Sequence, residues 1–229
     1  MPTTSMEDYL KAIYHVQDRG NGARVRTSEI ADRLEVTAPT VTSMFTKLAS
    51  RGYIEHEKYD GAVLTEKGER AALRILRNHR LLEVYLTTEL GYRLSEVHEE
   101  ADKLEHHISD KLGDHLAAKL DDPETDPHGA PIPTPSLQLS DTRCGEMLST
   151  FEEGTTVTIQ EVSDRDKTLL EYLSTNGVVP GTSVTIEEVA PVGLRTIRTR
   201  DGEDRVSLPD DAARLVWATP TAESIIEGN

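Results

Sequence analysis

Cysteine is almost missing from this chain: Cys144 stands alone among 229 residues. One thiol makes neither an internal disulfide nor a thiolate metal set, and it suits a reducing compartment. Long apolar runs are missing as well. No stretch of about 18 apolar residues occurs, so no membrane-spanning helix is expected. Hydrophobic residues still make up 36% of the chain and mean hydropathy is −0.48, enough for real cores. Met1 to Asp8 contain no basic stretch followed by an apolar one, so export by a signal peptide is not expected and the cytoplasm is the expected location. Basic side chains are the third shortage, with 25 Lys and Arg against 41 Asp and Glu, a net charge of −16. Over the whole chain, such a balance repels nucleic acid phosphates.

The distribution changes that conclusion. Residues 1–75 hold 11 basic and 11 acidic side chains, residues 76–122 hold 6 and 11, and residues 123–229 hold 8 and 19. The acidity therefore lies in the C-terminal two-thirds, as on the solvated surface of a salt-adapted protein. The first third is neutral.

Apolar spacing predicts a first helix through Tyr9, Leu10, Ile13, Tyr14 and Val16, stopped by Gly20-Asn21-Gly22. Thr27 or Ser28 is expected to cap a second helix carrying Ile30, Ala31 and Leu34. After the turn Glu35-Val36-Thr37, a third helix carries Val41, Met44, Phe45 and Leu48, with Pro39 in its first turn. Two short strands, Tyr53–His56 and Ala62–Thr65, flank a hairpin turn at Lys58-Tyr59-Asp60-Gly61. A long helix follows from Thr65 to about Leu86. Another is expected from a cap at Ser95 to about Leu120, with Val97, Ala101, Leu104, Ile108 and Leu112 on its apolar side. Residues 123–136 contain five prolines and read as a linker. Beyond Gly154 the pattern turns to β, with a helical insert from Lys167 to Ser174 and a hairpin turn at Asp201-Gly202. Several short strands and one helix predict a small, partly open β-barrel. No internal repeat is present.

Helix, tight turn, helix and hairpin is the order of a winged helix-turn-helix, with Pro39 to Ser50 as recognition helix. Thr37, Thr40, Thr42, Ser43 and Thr46 carry hydroxyls suited to phosphate oxygens and base edges, and threonine methyls suit thymine methyls. Backbone amides near Pro39 and Thr40 suit a phosphate. Arg24, Arg26, Arg33, Lys47 and Arg51 leave residues 24–51 at +2. The same pattern also fits a protein-binding winged helix with solvated threonines.

A second signal is a set of oxygen and nitrogen donors. His98, Asp102, Glu105, His106 and Ser109 recur at intervals that place them on one helix face, and His79 with Glu83 makes a further i, i+4 pair. Imidazole and carboxylate without thiolate suit Mn²⁺, Fe²⁺, Co²⁺ or Zn²⁺. A solvated acidic helix face is the competing reading. The zincin motif is absent, because Asp102 stands four residues after His98. His15, His56, His107, His115 and His128 are expected at the surface.

Four motifs in order complete the picture: Met6-Glu7-Asp8-Tyr9-Leu10-Lys11-Ala12-Ile13-Tyr14; Val36-Thr37-Ala38-Pro39-Thr40-Val41-Thr42; His79-Arg80-Leu81-Leu82-Glu83 with Val97 to His106; and Asp126-Pro127-His128-Gly129-Ala130-Pro131-Ile132-Pro133. Over about residues 5–136 the chain resembles the diphtheria toxin repressor and manganese transport regulator family of metal-dependent transcriptional regulators. Its tail resembles the FeoA-like barrel that longer members append. The resemblance implies an α+β fold: a winged helix-turn-helix DNA-binding domain (1–75), an all-α metal-binding and dimerisation domain with a Pro-rich linker (76–140), and a small β-barrel (141–229). It implies a homodimer on palindromic double-stranded operator DNA, loaded with Mn²⁺ or Fe²⁺, acting as a repressor of metal homeostasis genes. No membrane partner is implied. DNA contacts would come from Thr37, Pro39, Thr40, Thr42, Ser43 and Lys47. His79, Glu83 and His98 match the family's ancillary metal site, whereas Asp102, Glu105 and His106, with Asp8, match the primary one. Iron-type members carry methionine and cysteine where Asp8 and Asp102 stand. Manganese-type members carry carboxylates at both places, plus a further acid where this chain has Lys11. Hard oxygen donors favour Mn²⁺ over Fe²⁺. Asp166 or Glu171 would be the barrel's contribution to the ancillary site. Two other readings stay open: a divalent-metal hydrolase, which would need an open metal position in a substrate pocket, and a winged-helix regulator of a non-metal ligand.

Overall fold

The computed structural model describes residues 2–19, 22–57, 60–139, 145–164, 166–199 and 205–221. Gly20-Asn21, Lys58-Tyr59, Cys144 and the expected turn at Asp201-Gly202 lie outside the described residues. The chain divides into two units: residues 1–79, 103–114 and 133–139 form the first, and residues 80–102, 115–132 and 140–229 the second.

In the first unit, α1 (Thr4–Arg19) buries Met6, Tyr9, Leu10 and Ile13, one stripe at helical spacing. The second helix, α2 (Thr27–Leu34), starts a residue earlier than expected. Arg26 takes the cap position, its amide donating to Glu29 Oε2 at 2.7 Å, and Thr27 lies inside the helix. Glu35 turns the chain with φ of 53°, and Thr37 then caps α3 (Ala38–Ser50). Pro39 fits the first turn because no intrahelical partner awaits its missing N–H. Val41, Phe45 and Leu48 of α3 join Val25, Ile30 and the α1 stripe in one core. The wing pairs β1 (Ile54–Glu57) with β2 (Gly61–Leu64), Glu57 opposite Gly61.

The long helix α4 (Glu66–Thr88) follows as expected, but the single helix expected over 95–120 is two. They are α5 (Leu94–Leu104) and α6 (Asp110–Lys119). Ser109 provides the break by capping α6, its Oγ accepting from Leu112 N at 3.2 Å. Glu105 O, no longer needed by a continuing helix, accepts from Asn78 Nδ2 at 3.2 Å. Two consequences correct the sequence reading. Ser95 lies within α5 rather than capping it, and only Val97 and Ala101 of the expected stripe are fully buried, with Leu104 and Leu112 exposed.

The second unit is built on one antiparallel sheet. Its elements are β3 (Glu146–Met147), a 3-10 turn at Leu148–Thr150, β4 (Thr156–Val162), α7 (Lys167–Thr175), β5 (Ser183–Ala190), β6 (Leu194–Thr199), β7 (Arg205–Pro209), α8 (Asp210–Ala213) and β8 (Val216–Pro220). Strand order is β3-β8-β4-β5-β6-β7, so the sheet is open, with β3 and β7 at its edges. Alternation of Val157 and Ile159, Val184 and Ile186, and Val206 and Leu208 supplies the buried face, to which α7 adds Leu170 and Leu173. Strand β8 shows no alternation, because Val216, Trp217 and Ala218 are all buried. It therefore carries no period-two signal.

Residues 123–132 are not a free linker. Thr125 bridges Pro131, Asp126 Oδ1 accepts from His128 N and Ala130 N at 2.9 Å each, and Val162 N of β4 donates to His128 O at 2.9 Å. Proline rigidity here shapes a loop docked on the sheet. Gly129, at φ of 89°, is the contact point: a Cβ there would lie 1.8 Å from Gln160 O.

Substitution Gly129→Ala therefore combines positive-φ strain with a backbone clash. Gly91→Ala, at φ of 72° with open space around it, isolates the strain alone, about 1–2 kcal/mol. Urea denaturation should show Gly129→Ala costing at least about 2 kcal/mol more than Gly91→Ala.

Candidate metal centre

In the first unit, α1 and the turn after α5 meet through ionisable side chains. His106 Nε2 lies 2.8 Å from Asp8 Oδ1 and 3.4 Å from Glu105 Oε1, and its Nδ1 lies 2.8 Å from Glu7 Oε2. Ligand atoms of Asp8, Glu105 and His106 all fall within 4.8 Å of one another. Glu105 is nearly inaccessible, its side chain 2% exposed, and its Oε2 sits 2.6 Å from both Lys11 Nζ and His79 Nδ1. Burial first, then repulsion by Glu105, holds the Asp8 carboxyl above its ordinary range against the opposing pull of His106 and Lys11. Two crowded carboxylates and an imidazole, with no thiolate, fit a divalent cation.

Glu7 is a participant that spacing does not reveal. Neighbouring helix residues point in different directions, so no periodicity links Glu7 to Asp8. The imidazole unites them, because its two nitrogens face opposite ways. A carboxylate on Nδ1 orients the ring and aims Nε2 at Asp8 and Glu105.

A second cluster occupies the second unit. Glu83 is buried on α4, with its Oε1 3.2 Å from His98 Nδ1 and 3.5 Å from His128 Nε2. His98 Nδ1 also lies 3.5 Å from Asp164 Oδ2, and its Nε2 lies 3.5 Å from Oδ2 of the exposed Asp102. Arg80 reaches Asp126 Oδ2 with Nε at 3.3 Å and donates to Pro131 O through Nη1. His128, expected at the surface, is only 2% exposed, because the docked Pro-rich loop folds it inward. Neither of its ring nitrogens makes a hydrogen bond among the described residues. Burial and the Glu83 charge push the Asp126 carboxyl up to about 7, overcoming Arg80 and His128. Burial pulls the His128 imidazolium down, but Glu83, Asp126 and Asp164 outweigh it and leave it raised. Buried carboxylates beside an imidazole without hydrogen bonds again suit a cation.

The carboxylate that the sheet-bearing segment brings beside His98 is Asp164, and neither Asp166 nor Glu171 is the one found there. Asp166 is occupied in capping α7, accepting from Leu169 N at 3.0 Å, and Glu171 is exposed. Of the other histidines, His56 is half-buried, its ring 5.2 Å from that of Phe45, and His15 is half-buried beside Tyr14. His107 and His115 are exposed, as expected.

Thr37, Pro39, Thr40, Thr42, Ser43 and Lys47 are all exposed on the side of α3 away from its core stripe. Their hydroxyls are pre-oriented. Thr37 Oγ1 and Thr40 Oγ1 lie 2.8 Å apart, and Thr42 and Thr46 donate to carbonyls one turn back at 3.0 Å, leaving oxygen lone pairs outward. On the wing side, Arg24 pairs with Glu57 at 2.8 Å and Asp60 at 3.1 Å, which neutralises one of the expected positive charges.

Residues 1–62 match the model of the iron dependent repressor N-terminal DNA binding domain, residues 65–134 that of the iron dependent repressor metal binding and dimerisation domain, and residues 147–220 that of the FeoA domain. The HTH-type transcriptional regulator MntR of Listeria welshimeri is 42% identical over 109 residues, 48% of this chain and 75% of that protein. A manganese-dependent transcriptional repressor in complex with manganese superposes with a TM-score of 0.85 at 34% identity, covering 94% of this chain and 100% of that one. ScaR with bound Cd²⁺ gives 0.80 at 31% identity, covering 96% and 100%.

Removing Arg80 tests the second cluster. In metal-free protein, Arg80→Met strips the buried Asp126 carboxylate of its guanidinium partner, at a cost of about 3 kcal/mol where the acid is ionised. Because the folded-state pKa of Asp126 is already raised to about 7, protonation relieves the loss in acid. The deficit in urea denaturation should therefore grow from pH 6 to pH 8; one independent of pH would show that solvent reaches the cluster.

Proposed function

The chain belongs to the iron-dependent repressor family, metal-dependent DNA-binding transcriptional repressors and not enzymes, and from that premise we propose how its own residues perform the task. The observation that carries the reading is the grip of α1 on the Glu105–His106 turn within the first unit. Helix α1 packs against both α2 and α3, so whatever holds α1 also orients the recognition helix.

Asp8, Glu105 and His106 would hold a divalent ion, with His79, beside Glu105, as a further donor; Asp102 lies beside His98. Glu83 and His98, supported by the buried His128 and by Asp164, would hold a second. When bound, such an ion supplies the positive charge that offsets the mutual repulsion of the carboxylates. The carboxylates of α1 then stay at the His106 turn, and α3 keeps its presentation. Mn²⁺ is the expected ion, with Fe²⁺ next, because the donors are hard carboxylate oxygens and borderline imidazoles.

The domain boundaries follow as 1–75 for DNA binding, 76–140 for metal binding and dimerisation and 141–229 for the FeoA-like domain. A homodimer presents two copies of α3 to successive major grooves of a palindromic operator. Thr40, Thr42 and Ser43 read base edges, Thr37 and the amides beside Pro39 hold phosphate, and Lys47 adds charge. With few basic residues, affinity leans on base contacts and on the avidity of two half-sites more than on counterion release. No helix among the described residues is long and apolar enough to cross a membrane. A repressor that binds operator DNA works in the cytoplasm, where bacterial DNA lies.

Selection of bound duplexes from a randomised library, with Mn²⁺ or with chelator, tests this reading. A palindromic consensus recovered only with metal is expected, and equal recovery under both conditions would sink it. His106→Ala should abolish recovery without altering the far-UV circular dichroism. Lys47→Ala should weaken all sequences alike and reduce the salt slope by about 1, whereas Thr40→Ala or Ser43→Ala should change the consensus.

A further inference from the structure

We propose that Lys11 is a built-in cation of the Asp8–Glu105–His106 cluster: its ammonium holds the charge of Glu105 before metal binds and so raises the metal concentration the regulator needs. The inference rests on the metal-dependent reading above. Lys11 stands three residues after Asp8 and four after Glu7, spacings at which its side chain neighbours each of them on α1. Its side chain is 12% exposed, and Nζ lies 2.6 Å from Glu105 Oε2 and 3.0 Å from His79 Nδ1.

A lysine ammonium is compact and strongly hydrated, so burying it is costly unless a charge partner offsets the loss. Glu105 is that partner, and it faces the same problem more acutely, being more deeply buried. The two carboxylate oxygens are divided between tasks. Oε2 takes Lys11 and His79, while Oε1 lies 3.4 Å from His106 Nε2, where Asp8 also converges.

Two effects follow from Coulomb's law at these separations. Lys11 places a positive charge 2.6 Å from the buried Glu105 carboxylate with no external ion, so the metal-free arrangement is already partly neutralised. Its positive charge also opposes ligation at the point where Asp8, Glu105 and His106 meet. Salt screens this opposition weakly, because the groups are largely buried. Lys11 thereby supports α1 in the metal-free protein and lowers the cluster's affinity for a dication.

The experiment compares full-length wild type with Lys11→Met, which keeps most of the apolar stem and deletes the charge. Calorimetric titration with Mn²⁺ should give a Kd at least about tenfold tighter for Lys11→Met. Thermal unfolding in chelator should move the other way, its midpoint falling by about 5 °C or more as Glu105 loses its partner. The double variant Lys11→Met/Glu105→Gln, which removes both charges, should recover most of that fall. Affinity that is unchanged or weakened in Lys11→Met overturns the proposal, and so does a metal-free midpoint that the double variant fails to restore. Should wild type itself take up no Mn²⁺, the metal-dependent reading fails instead, and the metal-free melts still decide whether Lys11 neutralises Glu105.

Discussion

A carboxylate taken out of water must find a positive charge or a proton, and Glu105 imposes that requirement on the first unit. At 2% exposure it cannot rely on solvent. Lys11 comes to it from α1 and His79 from α4, and His106 beside it is gripped on both nitrogens by Glu7 and Asp8. The arrangement makes α1 more than a packing helix. One face of α1 seals the core under α3, and the other carries charges that answer to Glu105. The helix that seals the core beneath α3 is thus also the helix whose side chains face Glu105 and His106.

The second unit meets the same requirement by another route. Glu83 and Asp126 are buried beside His98 and His128, with the guanidinium of Arg80 as counter-charge. There the balance is struck partly with protons, since both Asp126 and His128 are shifted upward. A divalent cation and bound protons are alternative ways of neutralising such a site, which is why metal affinity at buried acids is coupled to pH. The docked Pro-rich loop makes the arrangement possible. Without the Asp126 turn and the close approach of Gly129 to β4, His128 would remain in solvent.

The acidic surface and the DNA-reading role are compatible because of where the charge sits. The neutral first third carries the recognition helix, and the hydroxyl side chains there ask little of electrostatic steering. Even Arg24 is tied up by Glu57 and Asp60 near the wing.

Local patterns were enough to identify the helix-turn-helix, the wing, α4 and most strands of the sheet, because each expresses a period that sequence records: 3.6 for Leu10 and Ile13, 2 for Val184 and Ile186. They single out Glu83, His98, Glu105 and His106 as candidate donors, whereas Asp8 enters only through the family resemblance. Other features depend on contacts between distant segments, which no periodicity encodes. The break between α5 and α6 needs Asn78 at Glu105 O and Ser109 as a cap. Strand β8 is buried on both faces and so loses its alternation. His128 looked like a surface residue because proline-rich composition signals a loop without saying what the loop packs on. Composition and spacing by themselves determined that imidazoles and carboxylates recur without thiolates along residues 79–106, though they put Glu105 and His106 on a helix where the chain turns. Only the tertiary structure decided which oxygen faces which nitrogen, that Asp164 rather than Asp166 turns toward His98, and that Glu7 and Lys11 belong to the cluster, because buried charges choose partners by distance in space and not along the chain.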